Sequence, residues 1–102
     1  MSEFVTVAKA SDLAEGGLHR FDVGGTPVAV ANAGGNLYAF GNTCTHEGCS
    51  LAQGRLDGTT VTCPCHGSRF DVTSGAVLHG PARQPVASYA VRVEGKDIQI
   101  RT

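Results

Sequence analysis

Cys44-Thr45-His46 and Cys63-Pro64-Cys65-His66 are the two short stretches that decide how this chain folds, because both have the composition of metal-binding loops. Each stretch carries a cysteine followed within three residues by a histidine, so each can present one thiolate and one imidazole. A centre with two unlike irons needs this division, since one iron takes sulfur ligands and the other takes nitrogen ligands. The two stretches therefore predict a centre for one-electron chemistry.

Two other interpretations of the same residues stay open from sequence alone. A structural zinc site also accepts two thiolates and two imidazoles, although such sites usually take two ligands of one kind a few residues apart. Such a zinc module would bind another protein. Alternatively, the four cysteines form two disulfides, for which three connectivities exist. That pairing leaves His46 and His66 without a role.

The longer stretches Cys44-Thr-His-Glu-Gly-Cys49 and Cys63-Pro-Cys-His-Gly-Ser68 resemble both cluster loops of the Rieske family residue for residue. The resemblance implies one Rieske [2Fe–2S] cluster per chain, with two cysteines on the buried iron and two histidines on the outer iron. The ligands that it implies are Cys44, His46, Cys63 and His66. The flanking segments fit the family by length and strand pattern only.

The resemblance also gives meaning to the two remaining cysteines. High-potential members of the family use the matching pair as a disulfide that ties the two loops together, so we expect a bond between Cys49 and Cys65. A bridge across a loop of this size stabilises by about 3 kcal/mol. The alternative is a pair of reduced, packed thiols.

Four further residues are expected to tune the cluster. Ser68 matches a serine that donates to a bridging sulfide in high-potential members and so favours the reduced cluster, whereas Phe70 replaces a tyrosine that donates to a cysteine sulfur. Gly67 is expected to let the backbone pass close to the cluster. Pro81 belongs to a Gly-Pro loop that resembles the loop covering the cluster in this family. Because the first two effects oppose each other, we expect an intermediate reduction potential.

The composition indicates which classes of binding partner are unfavourable for this protein. The 102 residues include eight basic and nine acidic residues, so the net charge of −1 does not favour nucleic acid or an anionic membrane. The chain shows neither a secretory signal pattern nor the roughly twenty apolar residues of a membrane span. The sequence therefore predicts a soluble cytoplasmic protein that makes no membrane contact.

The flanks predict an all-β domain. Apolar residues alternate in short runs that end at Gly, Asn or Asp, as in a small antiparallel sandwich or barrel. A short helical turn is expected over residues 10–15, capped by Ser11 or Asp12. The resemblance implies a Rieske-like β base from about residues 1–41 and 85–102. A cluster-binding subdomain of about residues 42–84 is inserted into it, making one domain.

The resemblance implies an electron carrier, and not a complete enzyme. The favoured function is a ferredoxin that passes electrons from a flavin-dependent reductase to a ring-hydroxylating or related terminal oxygenase. The alternatives are the small redox subunit of a reductase complex such as a nitrite reductase, and a high-potential carrier linked to quinol or another redox protein.

Overall fold

The computed structural model describes residues 3–45, 48–65 and 67–102, and in that part of the chain it contains ten β-strands in two antiparallel sheets. The strands are β1 Val5–Lys9, β2 Leu18–Val23, β3 Thr26–Ala33, β4 Asn36–Gly41, β5 Arg55–Asp57, β6 Thr60–Thr62, β7 Arg69–Asp71, β8 Val77–His79, β9 Ser88–Glu94 and β10 Asp97–Arg101. The predicted all-β fold is therefore confirmed.

The larger sheet has six strands in the order β1-β10-β9-β4-β3-β2, and its two edge strands approach each other so that the sheet curls into a nearly closed barrel. The smaller sheet has the order β5-β6-β7-β8 and is a simple meander. The strands of the larger sheet flank those of the smaller one in sequence, as a base with an insert requires. The exact division of the domain stays a prediction.

Strand β3 joins the two halves because both of its faces are buried. Val28 and Val30 point into the barrel, where they pack with Ile98 and Ile100. The intervening alanines, Ala29 and Ala31, point to the other side of the strand. They belong to a second core cluster, which lies between the barrel and the smaller sheet. Small side chains on that face allow the two sheets to approach closely, because no large group separates the backbones.

The second core cluster holds the smaller sheet onto the outside of the barrel. Phe40 from β4, Val61 from β6 and Phe70 from β7 are fully buried there, together with Leu51. Leu51 begins a short 3-10 helix, Leu51–Gln53, after the first predicted ligand loop. The apolar residues at alternate positions of the small strands therefore fix which face of that sheet is covered.

The predicted helical turn is shorter than expected. Only Ala10–Asp12 is helical, as a 3-10 turn, and the carboxylate of Asp12 accepts the backbone N–H of Lys9 at 3.1 Å. Asp12 is therefore the last residue of the turn, and its side chain binds the N–H of Lys9, which precedes the turn. Neither Ser11 nor Asp12 is the N-cap residue. Strand β5 was not predicted, because three residues carry too little alternation to be recognised.

Candidate metal centre

Two loops carry the predicted ligands, and each is held by strands at its base. The first loop follows β4, and an isolated bridge between Thr43 and Ser50 closes it. The second loop connects β6 to β7, where Thr62 pairs with Arg69. Each ligand loop is therefore a hairpin-like excursion with its ends fixed in antiparallel pairs.

The first loop also rests on a buried polar residue that the sequence did not single out. Asn42 is 2% exposed, and its amide oxygen accepts the Ala52 N–H at 3.0 Å while its amide nitrogen donates to the Ser50 hydroxyl at 2.9 Å. The Asn42 carbonyl accepts the Leu51 N–H at 2.7 Å. Asn42 thus joins the start of the loop to its end.

The backbones of the two loops repeat each other. The Cys44 N–H donates to the carbonyl of Cys49 at 2.8 Å, and the Gly48 N–H donates back to the Cys44 carbonyl at 2.9 Å. In the second loop the Cys63 N–H donates to the Ser68 carbonyl at 2.7 Å, and the Gly67 N–H donates to the Cys63 carbonyl at 3.3 Å. Each loop therefore starts at a cysteine and turns at a glycine four residues later.

The turning glycines explain why both loops contain Gly at the same place. Gly48 has φ +75° and Gly67 has φ +77°, a backbone region in which residues with a Cβ are disfavoured. No heavy atom lies within 4 Å of the position of a Cβ on Gly67. Among the described residues, the positive φ angle accounts for this glycine. The expected close approach of its backbone to the cluster stays a prediction.

The two predicted thiolate ligands lie together in the core. Cys44 is 2% exposed and Cys63 is 3% exposed, and both belong to the core cluster that contains Phe70. Neither cysteine takes part in a disulfide. The interpretation in which four cysteines form two disulfides is therefore wrong. His46 and His66 lie outside the described residues, so the imidazole half of the predicted ligand set stays a prediction.

A disulfide links the two loops. Cys49, the last residue of the first loop, is bonded to Cys65 in the second, with a Cα–Cα distance of 6.5 Å. The sulfur of Cys63 lies within 4.8 Å of both disulfide sulfurs. These three sulfurs do not form a tricysteine metal site, because two of them are already bonded to each other.

Ser68 connects the second loop to the loop that contains Pro81. Its side chain is fully buried, and its hydroxyl oxygen accepts the Ala82 N–H at 3.0 Å. This contact uses a lone pair of the oxygen and leaves the hydroxyl hydrogen available to donate. The predicted donation from Ser68 to a cluster sulfide is compatible with this geometry and stays a prediction.

Thr45 connects the first loop to the loop that contains Pro81. Its hydroxyl donates to the carbonyl of Gln84 at 2.7 Å. The segment of residues 80–86, which we call the proline loop, is therefore tied to both ligand loops, by Thr45 at one point and by Ser68 at another. Pro81 itself is exposed and follows a cis peptide bond. The expected role of Pro81 in covering the cluster stays a prediction, and the contact made by Thr45 was not predicted from the sequence.

The described donors fit an iron–sulfur cluster. Two buried thiols from two different loops face an apolar core, and the loops that carry them share one backbone geometry. Phe70 supplies apolar packing in that core without a hydroxyl. Thiolate ligation within apolar surroundings is the setting in which such clusters are held.

Comparisons with known proteins agree with this geometry. The sequence profile of the Rieske [2Fe-2S] domain matches residues 3–90. The ferredoxin component of biphenyl 2,3-dioxygenase from Rhodococcus jostii (strain RHA1) is 34% identical, over 92% of this chain and 88% of the relative. The solved ferredoxin of carbazole 1,9a-dioxygenase from Nocardioides aromaticivorans IC177 is 36% identical, with a TM-score of 0.92 and 95% of each chain covered.

A second solved structure, from a complex, also matches this chain. A chain from the complex of reduced oxygenase and oxidized ferredoxin in carbazole 1,9a-dioxygenase is 35% identical to this protein, with a TM-score of 0.90. The match covers 96% of this chain and 92% of that one. The fold described above is therefore shared along nearly the whole length with ferredoxins of dioxygenase systems.

Proposed function

Because this chain belongs to the Rieske [2Fe–2S] domain family, we propose that it is the ferredoxin component of a ring-hydroxylating or related oxygenase system. It takes electrons from a flavin-dependent reductase and delivers them to the terminal oxygenase. The observation that carries the proposal is the near full-length match to ferredoxins of such systems, one of them from a complex with its oxygenase. The cofactor is one [2Fe–2S] cluster per chain, which accepts and releases a single electron.

We propose Cys44, His46, Cys63 and His66 as the cluster ligands. Support for the two cysteines comes from their burial and from their position outside the disulfide. Support for the two histidines comes from the sequence, since each lies between its loop's cysteine and the turning glycine. The repeated backbone geometry supports one ligand pair from each loop.

The remaining residues position these ligands and control their surroundings. The Cys49–Cys65 disulfide holds the two loops together, and Thr45 and Ser68 hold the proline loop against them. We propose that residues 42–84 act as the cluster-binding subdomain on a base formed by residues 1–41 and 85–102. No helix in the described part of the chain is long and apolar enough to span a membrane. We propose a cytoplasmic location for this carrier.

One specific feature favours a second candidate, a high-potential carrier. The disulfide and the buried Ser68 resemble features of high-potential members of the family. Phe70, in contrast, lacks the hydroxyl group that those members use. The reduction potential distinguishes the two. A value near or below the middle of the Rieske range, roughly −150 to +300 mV, supports the oxygenase-type carrier. A value at the upper end supports the high-potential carrier.

The direct test replaces a known ferredoxin with this protein. The purified holoprotein is added to the reductase and oxygenase of biphenyl 2,3-dioxygenase from which the native ferredoxin is omitted. We expect substrate turnover to be restored, and the Cys44→Ser variant to restore none. A coloured, reducible protein that supports no turnover with this or other ring-hydroxylating oxygenases contradicts the proposed partner. A colourless protein that contains zinc contradicts the proposed cofactor.

A further inference from the structure

The arginines of this protein fall into two groups that differ in their internal contacts. In the larger sheet, Arg20 forms a salt bridge with Asp22 at 3.0 Å. Arg92 and Arg101 both lie over the ring of Phe4, with their guanidinium carbons 4.0 and 5.0 Å from the ring centroid. These three cations are therefore already used within the fold.

The other three arginines lie close to the second ligand loop, and their side chains lack such contacts within the described residues. Arg55, Arg69 and Arg83 are exposed, and within residues 3–45, 48–65 and 67–102 none of them forms a salt bridge, a side-chain hydrogen bond or a ring contact. An arginine with no internal partner can form bidentate bonds to a carboxylate on another molecule. The arginines without an internal partner thus lie near the second ligand loop, whereas the two lysines, Lys9 and Lys96, lie near the turn between β9 and β10.

The register of the smaller sheet aligns two of these arginines. Arg55 on β5 pairs with Thr62 on β6, Thr62 pairs with Arg69 on β7, and Arg69 pairs with His79 on β8. The next row of the sheet, which contains Val61 and Phe70, is buried, so the Arg55 row lies on the opposite, open face. With strands spaced by about 4.8 Å, the Cα atoms of the two arginines lie roughly 10 Å apart.

This row lies at the end of the sheet from which the second ligand loop projects. Thr62 directly precedes Cys63, and Arg69 directly follows Ser68. Arg83 directly follows Ala82, whose N–H is bonded to Ser68. Arg69 and Arg83 are therefore each one residue away from a residue that contacts or belongs to the second ligand loop. Arg55 is next to this loop through its pairing with Thr62.

Two carboxylates share this face, but they lie farther from the ligand loop than the arginines do. Asp71 pairs with Thr60, two rows beyond Arg69, and its carboxylate accepts hydrogen bonds from the N–H and the hydroxyl of Thr73. Asp57 lies in the row that is farther from the ligand loop, where it pairs with Thr60. Glu47, in the first loop, lies outside the described residues.

We propose that Arg55, Arg69 and Arg83 form a docking surface for a redox partner whose electron-transfer face carries a cluster of carboxylates. The proposal deepens the proposed function and rests on it. A positive surface beside the redox centre attracts an acidic partner and orients it so that the centres approach, which raises the association rate more than the affinity. The exposed Leu78, on the edge strand β8, precedes His79, the pairing partner of Arg69, and adds apolar area beside that arginine.

The first test measures the approach of small charged oxidants to the reduced holoprotein. Ferricyanide is the anionic probe and tris(phenanthroline)cobalt(III) is the cationic probe, both followed by stopped flow at low ionic strength. We expect Arg69→Glu to slow oxidation by ferricyanide severalfold, and Arg55→Glu with Arg69→Glu to slow it by about tenfold. The cobalt complex should react faster with both variants, and the differences should fade with added salt.

Lys96→Glu is the matched control because it changes the net charge by the same amount as Arg69→Glu. Lys96 is exposed in the turn between β9 and β10. This turn follows the seven-residue strand β9 at the end opposite Ser88, which pairs with Phe40 near the ligand loops. At about 3.3 Å per residue the turn lies roughly 20 Å from that end. Equal effects of Lys96→Glu and Arg69→Glu, or no effect of either, would overturn the proposal.

A second probe represents an acidic polypeptide. We expect poly-L-glutamate to slow the reaction of the wild-type protein with ferricyanide and to have little effect on the Arg55→Glu and Arg69→Glu double variant. Equal effects on both proteins would contradict a carboxylate-binding surface. A colourless preparation contradicts the proposed function itself, whereas a coloured preparation with equal rates contradicts the arginine surface alone.

Discussion

The first and second ligand loops share one backbone but are held by different side chains. Both begin at a buried cysteine and turn at a glycine with positive φ. The second loop is fixed through the buried hydroxyl of Ser68, whereas the first is fixed through the more exposed hydroxyl of Thr45 and through Asn42 at its base. The comparison indicates that the repeated backbone positions the proposed ligands, while the local contacts determine how firmly each loop is held.

The disulfide is expected to make the largest contribution, because it is the covalent link between the loops. Replacing Cys49 and Cys65 together by serine should lower the stability by about 3 kcal/mol, since the bridge closes a loop across a sequence separation of 16. Thermal unfolding of the holoprotein, with and without reductant, measures this loss. The double variant should no longer respond to the reductant, and a variant that unfolds at the wild-type temperature would contradict this role.

The second loop should be more sensitive than the first to loss of its hydroxyl. Ser68→Ala leaves the Ala82 N–H without its acceptor in a buried place, which costs about 1 to 3 kcal/mol. If Ser68 also donates to the cluster, the same variant should lower the reduction potential, because that donation favours the reduced state. Film voltammetry and thermal unfolding separate the two effects. An unchanged potential contradicts the donation and leaves the contact to Ala82 as the role of Ser68.

The glycines provide a matched pair across the two loops. Gly48→Ala and Gly67→Ala should each destabilise by about 1 to 2 kcal/mol, because an alanine is strained at these φ angles. Neither position has a close atom that a methyl group would strike, so the two losses should be similar. Chemical denaturation of both variants tests the equivalence of the loops. A loss at one glycine several times larger than at the other would show that the backbones are not equivalent.

Thr45→Val is expected to have the smallest effect. It removes the hydroxyl that donates to Gln84 while keeping the shape of the side chain, and an exposed hydrogen bond of this kind contributes about 0.5 to 1 kcal/mol. Thr45→Ser keeps the donor and serves as the control. The rate of cluster loss to an iron chelator measures how well the proline loop covers the site. A loss from Thr45→Val as large as that from Ser68→Ala would reverse the comparison between the loops.

Much of the architecture could be predicted because its signals are local. Alternation in the flanks identified the strands of the larger sheet, and the residues around Cys44 and Cys63 identified the family. The Asn42 network and the bond from Thr45 to Gln84 could not be predicted in this way. They join residues that are distant in sequence or embedded in irregular backbone, where no periodicity marks them.

One missed feature did have a sequence signal. In both loops a glycine stands four residues after the first cysteine, at Gly48 and Gly67, and a polar or sulfur-bearing residue follows it. This spacing reflects the repeated hydrogen bonds in the two backbones. Aligning the two loops with each other therefore predicts their common geometry, which considering each motif separately does not.

The central claim is that the two loops together hold one cluster through two cysteines and two histidines. The most direct measurement is pulsed EPR of the reduced holoprotein in which only the histidines carry ¹⁵N. We predict strong coupling of the cluster to two histidine nitrogens, and loss of the normal signal when His46 or His66 is replaced by serine. A spectrum without histidine nitrogen coupling, or one that survives either replacement, would contradict the claim.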